Sequence, residues 1–239
     1  MYKLFITTSG IGSRLKELTK KTNKVLLQVG GKTAIRWVID PYPPTVPVVV
    51  TLGYYGREVR EFLEGAYPDR NFEFVEVDTY EGEGSSQGYS MLKAKGSLDC
   101  PFIFHACDTL VTEFVPAPDR NWVAGFRVER AIEQGMPLAQ YRTHTVENNR
   151  IVKFLDKGEQ GFQSIHIGLC GIADHVRFWD LFQNLYDSNP MNSTLSEVPV
   201  LEMMLQEGLV FDWVPYDVWL DTGNLEALAK TEAYFKDKK

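Results

Sequence analysis

The chain has 239 residues, 44% of them hydrophobic and 13% aromatic, enough for one large core or one core with a small lobe. No apolar run approaches the roughly 20 residues of a membrane span, Met1 to Ile6 leads into a strand instead of a signal peptide, and a net charge of −7 argues against nucleic acid as the main partner. A cytoplasmic setting without membrane or nucleic acid is expected, and Cys100, Cys107 and Cys170, with no CxxC spacing, read as reduced thiols.

Strand and helix signals alternate through the first half. Tyr2 to Thr7 is a β-rich run, Ala34 to Asp40 is helical, Val46 to Leu52 is a buried strand, and Val59, Phe62 and Leu63 give Arg57 to Tyr67 a helical spacing. Phe72 to Val77 is a strand, Tyr89 to Lys95 a short helix, and Pro101 to His105 another buried strand. This order predicts an α/β fold with a largely parallel central sheet and helices on both faces.

The second half changes character. Trp122 to Val128, Gln140 to Val146 and Arg150 to Leu155 read as strands, the last two joined by Asn148-Asn149, which tolerate the positive φ of a tight hairpin. Gly168 to Ala173 adds a strand, and helices follow at His175 to Tyr186 and Glu197 to Glu207. Val210 to Pro215 is extended, and Asn224 to Phe235 closes the chain with a helix. The organisation expected is one domain, 1–239, in three parts: a first half to about residue 115, a second portion to about 215 with a small antiparallel insertion, and a closing segment 216–239.

The first strand runs into Thr8-Ser9-Gly10-Ile11-Gly12-Ser13-Arg14, with a lysine at Lys24. Glycines let backbone amides approach an anion closely, while Arg14 and Lys24 bring full positive charge to the same oxygens. The first forty residues carry eight basic side chains against two acidic ones, a local field suited to a small polyanion such as a nucleoside triphosphate. Gly31-Lys32-Thr33 resembles the end of a Walker A loop, but Leu26 stands where its first glycine belongs, so that pattern fails.

Taken with Asn23-Lys24-Val25-Leu26-Leu27-Gln28-Val29-Gly30-Gly31-Lys32, the loop resembles the sugar-phosphate nucleotidyltransferase family, whose signature is AGxGxRL, then PK, a short apolar strand and a GK turn. Pro101 to Asp108 is similar to that family's strand ending in a metal-binding aspartate, and Trp219-Leu220-Asp221-Thr222-Gly223 to its WxDxG element carrying a second one. The resemblance implies a Rossmann-like, GT-A-like three-layer αβα sandwich with a mostly parallel mixed sheet, and the coupling of a nucleoside triphosphate to a sugar 1-phosphate or related small phosphate ester. It implies Arg14, Lys24 and Asp108 as catalytic residues and Asp108 and Asp221 as ligands of Mg2+. Ser9, Gly10, Gly12, Ser13, Arg14, Lys24, Ser85 and Ser86 would bind the nucleotide, and Asp156, Lys157 and Gly168 the acceptor. Surface-glycan or capsule precursor supply is the setting it implies, and a homodimer is an open alternative to a monomer.

Each residue also has a plainer reading. Asp108 suits a turn after a strand, Asp221 the N-cap of the last helix, Ser85 or Ser86 the N-cap of the helix after them, Asp156-Lys157 an exposed turn, and Gly168 a packing relief. Ser9, Asn23, Cys107 and Thr33 depart from the family pattern, leaving base and acceptor open. Two other activities stay in view: a cytidylyltransferase for phosphocholine or a phosphonate, and a GT-A-type glycosyltransferase. Cys107-Asp108-Thr109 lacks the Asp-x-Asp usual in the latter, and retention of Arg14, Lys24, Asp108 and Asp221 argues against a non-catalytic nucleotide sensor.

Overall fold

The computed structural model describes residues 1–237 as a mixed α/β structure around a nine-stranded sheet. Its strands are β1 (Lys3–Thr7), β2 (Val48–Leu52), β3 (Phe72–Glu76), β4 (Phe102–His105), β5 (Trp122–Arg127), β6 (Thr143–Glu147), β7 (Arg150–Leu155), β8 (Ser164–Ile172) and β9 (Phe211–Tyr216), in the spatial order β3-β2-β1-β4-β8-β5-β9-β7-β6. The helices are α1 (Ala34–Ile39), α2 (Gly56–Ala66), α3 (Gln87–Lys93), α4 (Val128–Glu133), α5 (His175–Ser188), α6 (Glu197–Gln206) and α7 (Leu225–Lys236). No helix among the described residues is long and apolar enough to cross a membrane.

Alternation along β1 explains how the sheet is covered. Leu4 and Ile6 join a cluster with Ile35, Val38 and Ile39 of α1 and Val59 and Leu63 of α2, whereas Phe5 joins one with Met91 of α3, Phe178 and Phe182 of α5 and Leu201 of α6. Successive side chains of a strand point to opposite faces, so a strand buried on both sides must be apolar throughout, as Val48, Val49 and Val50 of β2 are.

The sheet is mixed, a correction to the mostly parallel arrangement expected from sequence. Pairings are parallel at β1–β2, β2–β3, β1–β4 and β5–β9, but antiparallel at β4–β8, β5–β8, β7–β9, β6–β7 and β6–β8. The physical reason lies in the connections. Only Asn148-Asn149 join β6 to β7, a connection that antiparallel neighbours alone can use, and β8 runs between β4 and β5 against both. Because β6 pairs with both β7 and β8, the strands β8, β5, β9, β7 and β6 close on themselves. The turn between β6 and β7 has Asn148 and Asn149 at φ 49° and 59°, the positive values expected of them.

Candidate active site

The parallel pairing of β1 with β4, in which Phe5 faces Phe104, sets the loop after β1 beside the loop after β4. Sequence positions almost a hundred residues apart thereby meet at the carboxyl ends of neighbouring strands, where ligands of open α/β sheets collect. Lys24 Nζ donates to Asp108 Oδ2 at 2.8 Å, and Arg14 Nη2 stands 3.9 Å from the same oxygen with its side chain 69% exposed. Lys24 is fixed by its neighbour. Asn23, fully buried, accepts from Val25 N through its side-chain oxygen and donates through Nδ2 to the carbonyls of Thr8 and Tyr54, so one amide ties the loop after β1 to the lysine turn and to the segment after β2.

A short pairing brings in the second acid. Leu220–Asp221 runs antiparallel to Thr109–Leu110 with Asp221 opposite Thr109, and Thr222 donates its amide and its hydroxyl to the Asp108 carbonyl. Gly223 marks where the two carboxylates point. A Cβ there would stand 3.0 Å from Asp221 Oδ1, 3.1 Å from Asp108 Oδ2 and 3.5 Å from Arg14 Nη2, a space that any larger residue would fill. The N-cap of α7 is Asn224, whose side chain accepts from Ala227 N, so Asp221 is not needed for capping.

Charge in this corner is unevenly compensated. Burial opposes ionisation of Asp108, but the Lys24 ammonium and, more weakly, Arg14 outweigh it and hold the carboxyl below its ordinary range. Asp221 behaves oppositely: burial first, and then the negative charge of Asp108, push it up to about 6. Two acids aimed at one space, one of them reluctant to ionise, fit a divalent cation, and Mg2+ takes one or two carboxylates with water and phosphate completing its octahedron. Among the described residues no histidine, cysteine or third carboxylate makes up a larger metal cluster.

Two cavities open on either side of Asp108. One, of about 270 Å3, is lined by Ser9, Gly10, Arg14, Lys24, Ser85 and Ser86 among others. Gly12, at φ +66°, and the exposed Ser13 belong to the same turn but do not line the cavity. Ser86 caps α3, its hydroxyl accepting from Tyr89 N at 2.9 Å, while Ser85 Oγ donates to the Gly82 carbonyl. The second cavity, of about 700 Å3, shares Arg14, Gln87, Ala106 and Asp108 with the first and continues past Asp221. Lys157 and Gly168 line it. Gly168, at φ +70°, lies where β8 bulges against β5, and a Cβ on it would come within 2.8 Å of Ala106 Cβ. Asp156 does not line this cavity: its side chain is 82% exposed and faces Arg142 at 3.5 Å.

No family model matches the sequence, and no curated protein matches it. Solved structures do match along nearly the whole length. A glucose-1-phosphate thymidylyltransferase from Bacillus anthracis is 17% identical with a TM-score of 0.78, covering 99% of this chain and 96% of that one. An inositol-1-phosphate CTP transferase from T. maritima is 16% identical with a TM-score of 0.73, covering 99% and 97%. A CTP:phosphocholine cytidylyltransferase from Streptococcus pneumoniae is 17% identical with a TM-score of 0.71, covering 98% of each chain. The chain has the nucleotidyltransferase fold.

Within the nucleotidyltransferase fold, this chain furnishes its cavities with residues that sequence reasoning did not single out. Tyr80, Gln87 and Ser90 line the smaller one together with Cys107, and Gln140, Arg142, His166, Glu197 and Asn224 line the larger. Cys107 stands directly between β4 and Asp108, a place its sequence position does mark. Glu197 gives no such sign, being one acid at the start of a helix far along the chain.

Proposed function

We propose that the protein is a Mg2+-dependent nucleotidyltransferase that joins a nucleoside triphosphate to a sugar 1-phosphate or similar small phosphate ester and releases pyrophosphate. The observation that carries this reading is the meeting of Lys24, Arg14, Asp108 and Asp221 where two cavities share a wall. A cytoplasmic enzyme supplying activated precursors for surface glycans or capsule belongs to the same reading. The two hydrophobic clusters that take side chains from α1 and α2 and from α3, α5 and α6 support a three-layer αβα sandwich of Rossmann-like, GT-A-like kind, with residues 1–239 acting as one domain.

The smaller cavity would take the triphosphate, with Ser9, Gly10 and the backbone of that loop beside its phosphates and Ser85 and Ser86 toward the base and ribose. The acceptor would lie in the larger one with its phosphate near Lys157. An oxygen of that phosphate, already anionic near neutral pH, attacks the α-phosphorus. A new P–O bond forms as the bond to the oxygen bridging the α- and β-phosphorus breaks, and pyrophosphate departs with that electron pair. No side chain need accept a proton. The work of this chain is positioning and charge compensation, with Lys24 and Arg14 offsetting negative charge that grows on the transferred and leaving phosphates. Asp108 and Asp221 would hold Mg2+, which when bound neutralises phosphate charge and aligns the two substrates.

The test is a pyrophosphate-release screen crossing nucleoside triphosphates with sugar 1-phosphates, inositol phosphate, phosphocholine and phosphonates. Turnover of any pair establishes the reaction. Failure of every pair, with transfer of sugar from a nucleotide sugar instead, overturns it in favour of a glycosyltransferase.

A further inference from the structure

Glu197, the first residue of α6, is a buried carboxylate on the wall of the larger cavity, its side chain 5% exposed. Both of its oxygens are held. Gln87 Nε2 donates to Oε2 at 2.9 Å, and His166 Nε2 stands 3.0 Å from Oε1, while His166 Nδ1 stands 3.0 Å from His144 Nε2. The chain of contacts ends at His144 Nδ1, which is buried and has no hydrogen-bond partner among the described residues.

That ending fixes the direction of the hydrogens. If His166 carried two protons, it would donate to His144 Nε2 and force the His144 proton onto the orphan Nδ1, burying an unmatched N–H. With the protons running the other way, His144 Nε2–H donates to His166, His166 Nε2–H donates to Glu197, and only a lone pair is left over. Burial holds His144 well below its ordinary range and so keeps it neutral, as this arrangement requires. Glu197 then accepts from two neutral N–H donors, with no lysine or arginine paired to it among the described residues, and its remaining lone pairs are open to a ligand in the cavity it lines.

The brace also links the two cavities. Gln87 lines both, opens α3 directly after Ser86, and sits beside Gly88, whose amide donates to the Leu195 carbonyl two residues before Glu197. The acid is therefore fixed from the nucleotide side by Gln87 and from β8 by His166. Asp156, the acid in which the sequence pattern would seek a contact to an acceptor hydroxyl, lies outside the cavity.

We infer that Glu197 is the specificity-determining residue for the acceptor, accepting a hydrogen bond from a hydroxyl of a polyhydroxylated phosphate ester whose phosphate lies toward Lys157. A quaternary ammonium has no proton to give to such an acceptor. The amides of Gln140 and Asn224 on the same cavity add hydrogen-bonding partners for further hydroxyls. This inference rests on the proposed nucleotidyl transfer.

The experiment compares wild type with Glu197→Gln in steady-state pyrophosphate release, using the best nucleoside triphosphate and three probes: glucose 1-phosphate, its monodeoxy analogues, and phosphocholine. The expected result is that Glu197→Gln raises KM for the sugar phosphate by about tenfold or more and KM for the nucleotide by no more than about twofold. One monodeoxy analogue should lose as much in the wild type and lose nothing further in the variant. Gln87→Met, which keeps the carboxylate but removes one brace, should move the same KM in the same direction by a smaller factor, and it carries the test if Glu197→Gln does not fold.

An unchanged sugar-phosphate KM in a folded variant overturns the inference while leaving nucleotidyl transfer standing, as does equal loss with every acceptor or a preference of the wild type for phosphocholine. A wild type that turns over no pair overturns the proposed function and this inference with it.

Discussion

The ammonium of Lys24 and the carboxylate of Asp108 are 84 residues apart in sequence and 2.8 Å apart in space, and they stand where two cavities meet. Their pairing makes each the guarantor of the other's charge: Asp108 raises the affinity of Lys24 for its proton, and Lys24 lowers that of Asp108. Lys24→Ala and Asp108→Asn are each expected to reduce kcat/KM for pyrophosphate release by about 10²- to 10³-fold or more, with far-UV circular dichroism retained. A folded variant working at the wild-type rate would remove that residue from the mechanism.

Asp221 predicts an unusual dependence of stability on pH. Its carboxyl is raised from 3.8 to about 6 in the fold, so between those values the folded chain holds a proton that the unfolded chain has released. Stability contributed by this group is present below about pH 4 and lost as pH rises toward 6. In chelator, Asp221→Asn should therefore be more stable than wild type at pH 7, by about 1 kcal/mol, and indistinguishable from it near pH 4. Urea titrations at the two pH values measure this. A variant less stable than wild type at pH 7 would show that the two acids do not repel as described.

Asn23 makes a prediction that no catalytic assay is needed to read. Three hydrogen bonds of its buried amide connect three segments, and removing it leaves the Thr8 and Tyr54 carbonyls unpaired. Asn23→Ala should lower unfolding free energy by about 2 kcal/mol or more. Asn23→Pro, whose ring suits the observed φ of −73°, should recover little of it, because backbone shape was never what the residue supplied.

Ser86 separates a cap from a ligand contact. Loss of its hydroxyl in Ser86→Ala removes the bond to Tyr89 N and should lower stability by about 1 kcal/mol. Ser86→Asp restores a capping acceptor but places negative charge in the cavity proposed for the triphosphate. Melting temperature should recover in the aspartate variant while KM for the nucleotide rises; recovery of both would make Ser86 purely a helix cap.

The loop after β1 was visible in the sequence through glycines beside basic residues, whereas Asp108 and Asp221, each with a plain local reading, stood out only through the family resemblance that joined them to that loop. The structure adds that the β1–β4 and Asp221–Thr109 pairings bring them together. Sheet direction was less legible. Regular alternation of strands and helices in the first half points to parallel pairing, but it carries no information about β8, whose neighbours are chosen by tertiary packing. The short helix α4 was hidden because Val128 continues an apolar strand without a break. Glu197 and His166 were hidden for a stronger reason: neither means anything alone, and the contact between them exists only once β8 and the start of α6 are packed together. Asn23 looked like a departure from a proline position and proved to be a three-way tie.

The double pairing of β6 has a bearing on association. By joining β7 to β8 it leaves the described sheet one long unpaired margin, at β3, where Phe72, Phe74 and Glu76 share one face and Glu73 and Val75 the other. Both acids are engaged from within the chain, Glu73 by Lys3 and Glu76 by Arg60. Docking a like border there would desolvate these charged groups and disturb their ion pairs, so strand-to-strand polymerisation of copies is discouraged.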